Sequence, residues 1–505
     1  HINHMKIMKI KYYLTAIAVA LTGAFTSCSL DEEVDSFSEP KTFFQNRQQC
    51  QSALNACYNP LKNIYTYKMM LATESTTDIA YARSGTLDCV LDISPSQPRH
   101  GADVWTYGYR GVMYCNSAIA GIERSPLSDE DKTMLSGEGK VLRAFYYYLL
   151  TSFFGDVPYY NDDVADEETQ YRIAHLPRMS AVETRDAIIA ELQEIVPKLK
   201  QIRTSEVEGN RCGAAMGWML IAKMAMWNKK WDTAIEAIGH LEKIYGDLEQ
   251  YPLDDIMFRN KNTPESIFEI QHTYTAGGIN YSSNVAAICM PYPKSNGTAI
   301  YNGAEIPELG KDATAWSPML PSAYFSGSLM YEGTKDKRDA INLIHSGYNG
   351  QKFNTTGYTA FGPKFWCPNM PQTYDSNNYK IFRYADALLM KAECYCMKES
   401  DPTLAVEYLN RTKRRAGLDD YQFRNWTKLF QEIMDERARE LFGEFMRKFD
   451  LVRWGVWYER TNAFTGYDKL QNNIRPCHEY YPIPDTEVVY SGYALDNDAY
   501  HADGL

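Results

Sequence analysis

Groups able to do acid–base or nucleophilic chemistry are plentiful in this chain, but they are not arranged for it. Asp435, Glu436 and Glu440 fall within six residues, interleaved with Arg437 and Arg439. Cleaving a glycosidic bond needs two carboxyl groups facing each other about 5–10 Å apart, one of them protonated. Carboxylates spaced three and four apart on a helix beside arginines stay ionised, and they read instead as ion pairs that fix packing. Arg453 and Trp454 read the same way, as a packing cluster at a helix end. The nine histidines include no H-x-x-x-H or similar metal spacing, and no G-x-S-x-G elbow is present. Of 11 cysteines, ten besides Cys28 are scattered without a C-x-x-C pair. They read as buried thiols, with one or two disulfides left open. The chain is therefore read as not an enzyme, with no catalytic residue, no metal and no cofactor.

The residue types that remain suit recognition. There are 38 tyrosines and nine tryptophans. Such rings serve either a core or a flat binding surface, and composition alone does not separate the two uses. A sugar presents apolar C–H faces and a rim of hydroxyls, which call for aromatic platforms flanked by Asn, Asp, Gln or Arg. Two stretches with the texture of loops carry that mixture, residues 74–101 and about 275–330. The first offers Asp78, Tyr81 and Arg83. The second offers Tyr281, Tyr292, Tyr301, Asn302, Trp316 and Tyr324. These nine are the candidate ligand-binding residues, and ordinary loop packing is the competing use of each. Trp105, in a helical pattern with Tyr109 and Asn116, reads as structural.

Helices must position those loops. Residues 41–70 read as helical, with Phe44, Leu54, Tyr58, Leu61 and Tyr65 as buried positions; helical signals return at about 103–123. A helix over 129–154 is opened by Ser128-Asp129 and closed by Gly155-Asp156-Val157-Pro158. Another runs over about 180–200. Residues 213–228, with Ala214, Ala215, Trp218, Ala222 and Ala225, lead through a short turn into a helix carrying Trp231, Ala234, Ile235 and Ile238. Residues 382–399 and 402–416 repeat that plan. Each pair takes about 34 residues, the tetratricopeptide period, and small residues let paired helices approach closely. Between the pairs, roughly 260–380, the chain is rich in Gly, Pro, Asn, Ser and Tyr. Ser266-Ile267-Phe268-Glu269-Ile270 is a strand candidate there, and the rest is expected to pack as a loop-rich lobe on the helices.

The beginning of the chain reads as an export signal. Lys6, Lys9 and Lys11 precede 14 uncharged residues, Tyr12 to Phe25, too few for the ~20 that span a bilayer. Thr26 and Ser27 lead into Cys28, where cleavage would free a cysteine for lipid attachment; Phe25 makes the match a loose one. Residues 1–27 are thus read as a signal peptide and 28–40 as a lipidated, acidic, flexible tether. The formal net charge of −12 becomes about −15 once the three leader lysines are removed. That balance argues against nucleic acid, whose phosphates need a cationic partner, and against docking on anionic lipid without an anchor.

Several long motifs, in order, carry a family resemblance. Gly137 to Tyr147 (GEGKVLRAFYY) with Phe154 to Pro158 (FGDVP), Pro264 to Ile270 (PESIFEI), Ile381 to Glu393 (IFRYADALLMKAE), Asp435 to Leu441 (DERAREL), Arg447 to Gly455 (RKFDLVRWG) and Tyr481 to Pro484 (YPIP) follow one another. Together they resemble the SusD/RagB family of Bacteroidetes nutrient-binding outer-membrane lipoproteins, with Thr263 standing where Asn is common. The resemblance implies a mostly α, SusD-like single domain over 41–505: a tetratricopeptide-like scaffold about 41–260 and 380–460, the loop-rich lobe about 260–380 with few short strands, and an irregular segment 461–505. It implies an oligosaccharide ligand, or a peptide as in the RagB branch. It also implies a SusC-like TonB-dependent transporter as partner, and a lipid-anchored, surface-exposed place on the outer membrane. A helical-repeat scaffold for other surface proteins is a further reading. The motifs do not cover the two candidate loops, so no ligand contact is carried across from them.

Overall fold

The computed structural model describes residues 43–83, 87–278 and 280–505. The leader, the tether and Cys28 lie outside the described residues. The chain opens with α1 (Arg47–Tyr58) and α2 (Tyr67–Thr73). The long helices α3 (His100–Arg124) and α4 (Asp129–Phe154) follow, then α5 (Glu167–Ala174) and α6 (Ala181–Ile195). Next come α7 (Ala214–Trp227), α8 (Trp231–Tyr245) and a short α9 (Val285–Cys289). The later helices are α10 (Tyr384–Lys398), α11 (Pro402–Arg415), α12 (Trp426–Glu440), α13 (Arg447–Arg453), α14 (Trp457–Phe464), α15 (Asp468–Asn473) and α16 (Asp485–Tyr490).

The local signals explain most of these bounds. The Ser128 hydroxyl accepts the Asp131 N–H at 3.1 Å and caps α4, which ends where Gly155 turns to φ 70°. The helix expected over 41–70 is instead three pieces, because Pro60 has no N–H to continue α1 and Thr66 is extended. Helices α3, α4, α6, α7, α8, α10, α11 and α12 each pack on the next, so four helix pairs form one continuous stack. Glycine permits the tightest of these contacts: a Cβ at Gly111 on α3 would sit 2.2 Å from the Tyr146 ring on α4. The two hairpins separated in sequence, α7–α8 and α10–α11, meet through α8 against α10. The loop-rich lobe is the long insertion between those two helices.

The lobe holds short antiparallel pairs. Strand β1 (Ala80–Ala82) pairs with β3 (Met319–Pro321), β2 (Ser266–Ile270) with β6 (Tyr379–Arg383), and β4 (Leu343–His345) with β5 (Thr359–Phe361). A second small apolar core sits inside it, with Tyr301, Ile306, Leu309, Phe353, Trp366 and Met370. Residues 461–505, expected to be irregular, contain α15, α16 and a last short helix Asp498–Ala502. All ten described cysteines are free and only Cys367 is not buried, so no disulfide forms among the described residues.

Charged motif residues join the lobe to the stack. Arg338 of the lobe binds Asp336 (2.7 Å), Glu436 and Glu440 (2.8 Å each), all with buried side chains. Arg383 binds Glu265 and Glu444 at 2.8 Å and Glu440 at 3.1 Å. Arg437 pairs with Asp386 (2.8 Å) and Asp450 (2.7 Å), and Arg453 with Glu393 (2.5 Å). Burial alone would raise the Glu436 pKa, but the guanidinium groups of Arg338 and Arg439 outweigh it and bring the carboxyl down to about 2. Glu265, Asp386, Glu436, Glu440 and Asp450 are buried, yet all are held below the ordinary carboxylate range by the neighbouring arginines and lysines, and as anions they hold packing.

Candidate functional site

The two loop stretches singled out by composition meet in space. The β1–β3 ladder aligns Tyr81 with Leu320 and Ala82 with Met319, and the Arg83 N–H continues it to the Pro318 carbonyl at 2.8 Å. The Ser322 hydroxyl donates to the Asp78 carbonyl at 2.6 Å. Residues 74–80 are buried throughout, which corrects the expectation of an exposed loop over the whole of 74–101. The Glu74 carboxylate accepts the N–H groups of Met446 (2.8 Å) and Arg447 (3.1 Å). The chain therefore enters the site pinned to the start of α13.

Asp78 belongs to this support rather than to the surface. It is fully buried, gripped by Arg447 through two 2.8 Å contacts and by Arg460 Nε at 2.9 Å. Burial would raise its pKa; Arg447 and Arg460 overcome that and hold the carboxyl below its ordinary value. Arg460 also donates to the Tyr324 hydroxyl (3.1 Å), which in turn donates to Asp435 (2.8 Å), while the Tyr324 ring stacks on Phe464 at 4.4 Å. Tyr324 is thus a partly buried strut. Tyr301 and Asn302 are also buried: the Tyr301 hydroxyl donates to the Gly310 carbonyl (2.9 Å), and Asn302 Oδ1 accepts from Thr355. Asp78, Tyr301 and Asn302 offer a ligand little or no surface, and the Tyr324 hydroxyl is taken up by Arg460 and Asp435. Tyr281 lies half-buried against His272 at 4.6 Å and lines a different cavity with Asn55, Asn59, Arg211 and Gln271.

Tyr81, Arg83, Tyr292 and Trp316 remain at the surface. The Tyr81 ring stacks on Tyr467 with centroids 5.4 Å apart, and Arg83 reaches over it, its Nη2 3.3 Å from the Tyr81 hydroxyl. Tyr292 is 55% exposed, and its N–H donates to the Tyr358 hydroxyl at 3.0 Å. Burial raises the pKa of that hydroxyl, against the Tyr292 N–H and the Arg83 charge, which lower it. Trp316 is 44% exposed and meets the Tyr67 ring edge-on at 5.3 Å. It stands two residues from Pro318, hence within about 7 Å of chain from the Arg83 contact. Residues Tyr67, Tyr358 and Tyr467 join this surface and were missed by the sequence reading. Tyr358 and Tyr467 each follow a glycine, in Gly357-Tyr358 and Gly466-Tyr467, the one local signal pointing to them.

Chemically, the surface is a set of rings and phenols around one guanidinium. It can stack on a flat apolar face and donate hydrogen bonds to oxygen, while Asp78, the acid beneath it, is buried and ion-paired. Among the described residues no group of three His, Cys, Asp or Glu is placed to hold a metal, and no helix is long and apolar enough to cross a membrane.

The helix-pair stack with its loop-rich lobe is an architecture shared with solved structures. Two family models match the chain: "SusD family" over residues 322–499 and "Starch-binding associating with outer membrane" over 29–200. SusD-like protein P25 of Formosa agariphila is 25% identical over 98% of this chain and 99% of its own length. The starch-binding protein SusD of Bacteroides thetaiotaomicron is 22% identical over 81% of this chain and 80% of its own. The solved surface glycan-binding protein A of B. thetaiotaomicron, in complex with laminarihexaose, shares the fold at TM-score 0.69 and 21% identity, covering 89% of this chain and 98% of that one. The chain belongs to the SusD/RagB family.

Proposed function

We propose that this protein captures oligosaccharide on the outer surface of a bacterial outer membrane and passes it to a SusC-like TonB-dependent transporter. The observation that carries the reading is the aromatic surface around Arg83, where the β1–β3 ladder brings the loops of Tyr81 and Trp316 together and Tyr292 is bonded to Tyr358. Rings for the sugar face, with phenols and a guanidinium for its hydroxyls, are what a glycan needs. The starch-binding and laminarihexaose-bound relatives support the ligand class. Lipid on Cys28 and the tether 28–40 hold a single domain over 41–505 to the membrane. A shallow site of this kind binds in the micromolar to millimolar range, about −8 to −4 kcal/mol.

The test is calorimetry of the lipid-free chain with maltohexaose, laminarihexaose and other neutral oligosaccharides, beside mixed tryptic peptides. Saturable binding of one sugar series, weakened in Arg83→Ala, supports the proposal. Binding of peptides and of no sugar would move the ligand to the peptide branch of the family.

A further inference from the structure

The three most exposed large rings among the described residues stand together, at a place the first site does not use. Tyr171 on α5, Tyr490 at the end of α16 and Tyr493 just beyond it are 69, 74 and 75% exposed. Tyr171 stacks on His175 with centroids 4.2 Å apart. His175 packs on Gly492, where a Cβ would come within 3.3 Å of the imidazole, so α5 and the turn after α16 are in contact. Gly492 (φ 63°) and Tyr493 (φ 65°) both take the left-handed conformation, which a tyrosine rarely adopts. Their N–H groups donate to Val489 and Val488 at 3.0 Å, a turn that directs the Tyr493 ring into solvent. Tyr490 also walls a groove of about 310 Å³ floored by Trp105 and Tyr109.

Charge selects the ligand. Glu167, Glu168, Asp485, Glu487, Asp496 and Asp498 each lie within five residues of one of the three rings along the chain. The nearby cations are already engaged, Arg172 with Asp162 and Arg178 with Asp496. An anionic polymer or lipid surface is repelled here. A protein laid over the face would desolvate the carboxylates between the rings, whereas interface cores are depleted of charge. A neutral sugar chain takes the ring faces and leaves the carboxylates in water.

We propose that this tyrosine face is a second contact for a neutral polysaccharide, engaging the chain beyond the segment held at the Arg83 surface; this rests on the glycan reading above. Both faces are tied to the segment that leads into α3. Asn473, just after Tyr467, donates to the Val90 carbonyl at 2.8 Å, and Asp485 at the start of α16 donates to the Pro95 carbonyl at 3.1 Å. Pro95 is five residue steps from Val90, so these two anchor points are at most about 18 Å of chain apart. A ligand long enough to reach both faces gains from the high effective concentration of the second; a short one does not.

The test compares wild type with Tyr490→Ala/Tyr493→Ala, titrated with laminarihexaose and laminarin or with maltohexaose and starch, whichever series wild type binds. The expected result is short-ligand affinity unchanged within about twofold and polymer affinity down about tenfold. The phenylalanine pair Tyr490→Phe/Tyr493→Phe, which keeps the rings, retains polymer binding, and an unchanged unfolding midpoint shows that the fold is intact. Equal loss for both lengths, or no loss for either, overturns the proposal. So does intact polymer binding with lost association to a membrane transporter, which would make the face a protein interface. Wild type binding no glycan at all would instead overturn the parent reading, and this one with it.

Discussion

The buried ion-pair core and the aromatic surface are built from opposite kinds of residue. Around Arg338 and Arg383 every charge has its partners inside the protein, and Glu436, Glu440 and Asp450 are held as anions. Around Arg83 the rings pair loosely with one another and keep a face to water. The first region holds the lobe on the stack and so fixes where the second can be. Long motifs mark the first because many partners constrain each residue at once, whereas the second tolerates any flat ring that reaches the same place.

The sharpest way to break that contrast is to remove a hub of the core. Arg338→Ala strands Asp336, Glu436 and Glu440 without their shared cation, and losing one partner of a buried pair costs about 3–5 kcal/mol. Denaturant unfolding should show that loss, or expression should fail, while Arg338→Lys recovers only part of it. A variant unfolding like wild type would mean that the core is not structural.

A smaller effect lies where the two regions join. Burial raises the Glu74 pKa to about 7, against hydrogen bonds from Arg447 and Met446 that lower it. Between pH 4.5 and 7 the folded state then holds a proton that the unfolded state has released, so this residue's contribution falls as pH rises through that window. Glu74→Gln keeps an acceptor for both N–H groups without the charge. Its stability relative to wild type should increase from pH 5 to pH 8, by on the order of 2 kcal/mol. The opposite slope, or none, would place the Glu74 charge in a better-solvated site.

At the surface, Tyr292→Ala should weaken oligosaccharide binding about tenfold, near 1.4 kcal/mol, and leave unfolding within about 0.5 kcal/mol of wild type. That pairing of outcomes separates a contact from a strut. The sequence made half of this distinction legible. Cap and period placed α4, α6, α7, α8, α10 and α11, since local bonds set helix ends, and the i, i+3 and i, i+4 spacing of Glu436, Arg437, Arg439 and Glu440 already implied ion pairs that fix packing. The nine candidate residues were chosen by type within loops, and type does not say which way a loop side chain turns. Asp78 looked like a sugar ligand until Arg447 and Arg460, more than 360 residues away in sequence, closed over it. Tyr358 and Tyr467 were missed for the same reason, as their neighbours are set by long-range packing.

The finest test takes two tyrosines of one loop that the sequence treats alike. Tyr301 is fully buried and donates to the Gly310 carbonyl, whereas Tyr292 lies nine residues earlier and is 55% exposed. Tyr301→Phe removes one hydroxyl and leaves a buried carbonyl short of a donor, a loss of about 1 kcal/mol in stability. Affinity should not change, because the ring still fills the lobe's small core and the Arg83 surface keeps its shape. Tyr292→Phe should show the reverse, with stability constant and affinity changed to the extent that its phenol meets a sugar hydroxyl. If Tyr301→Phe weakened binding while stability held, the small core would be part of the site, and the line drawn between strut and contact would have to move inward.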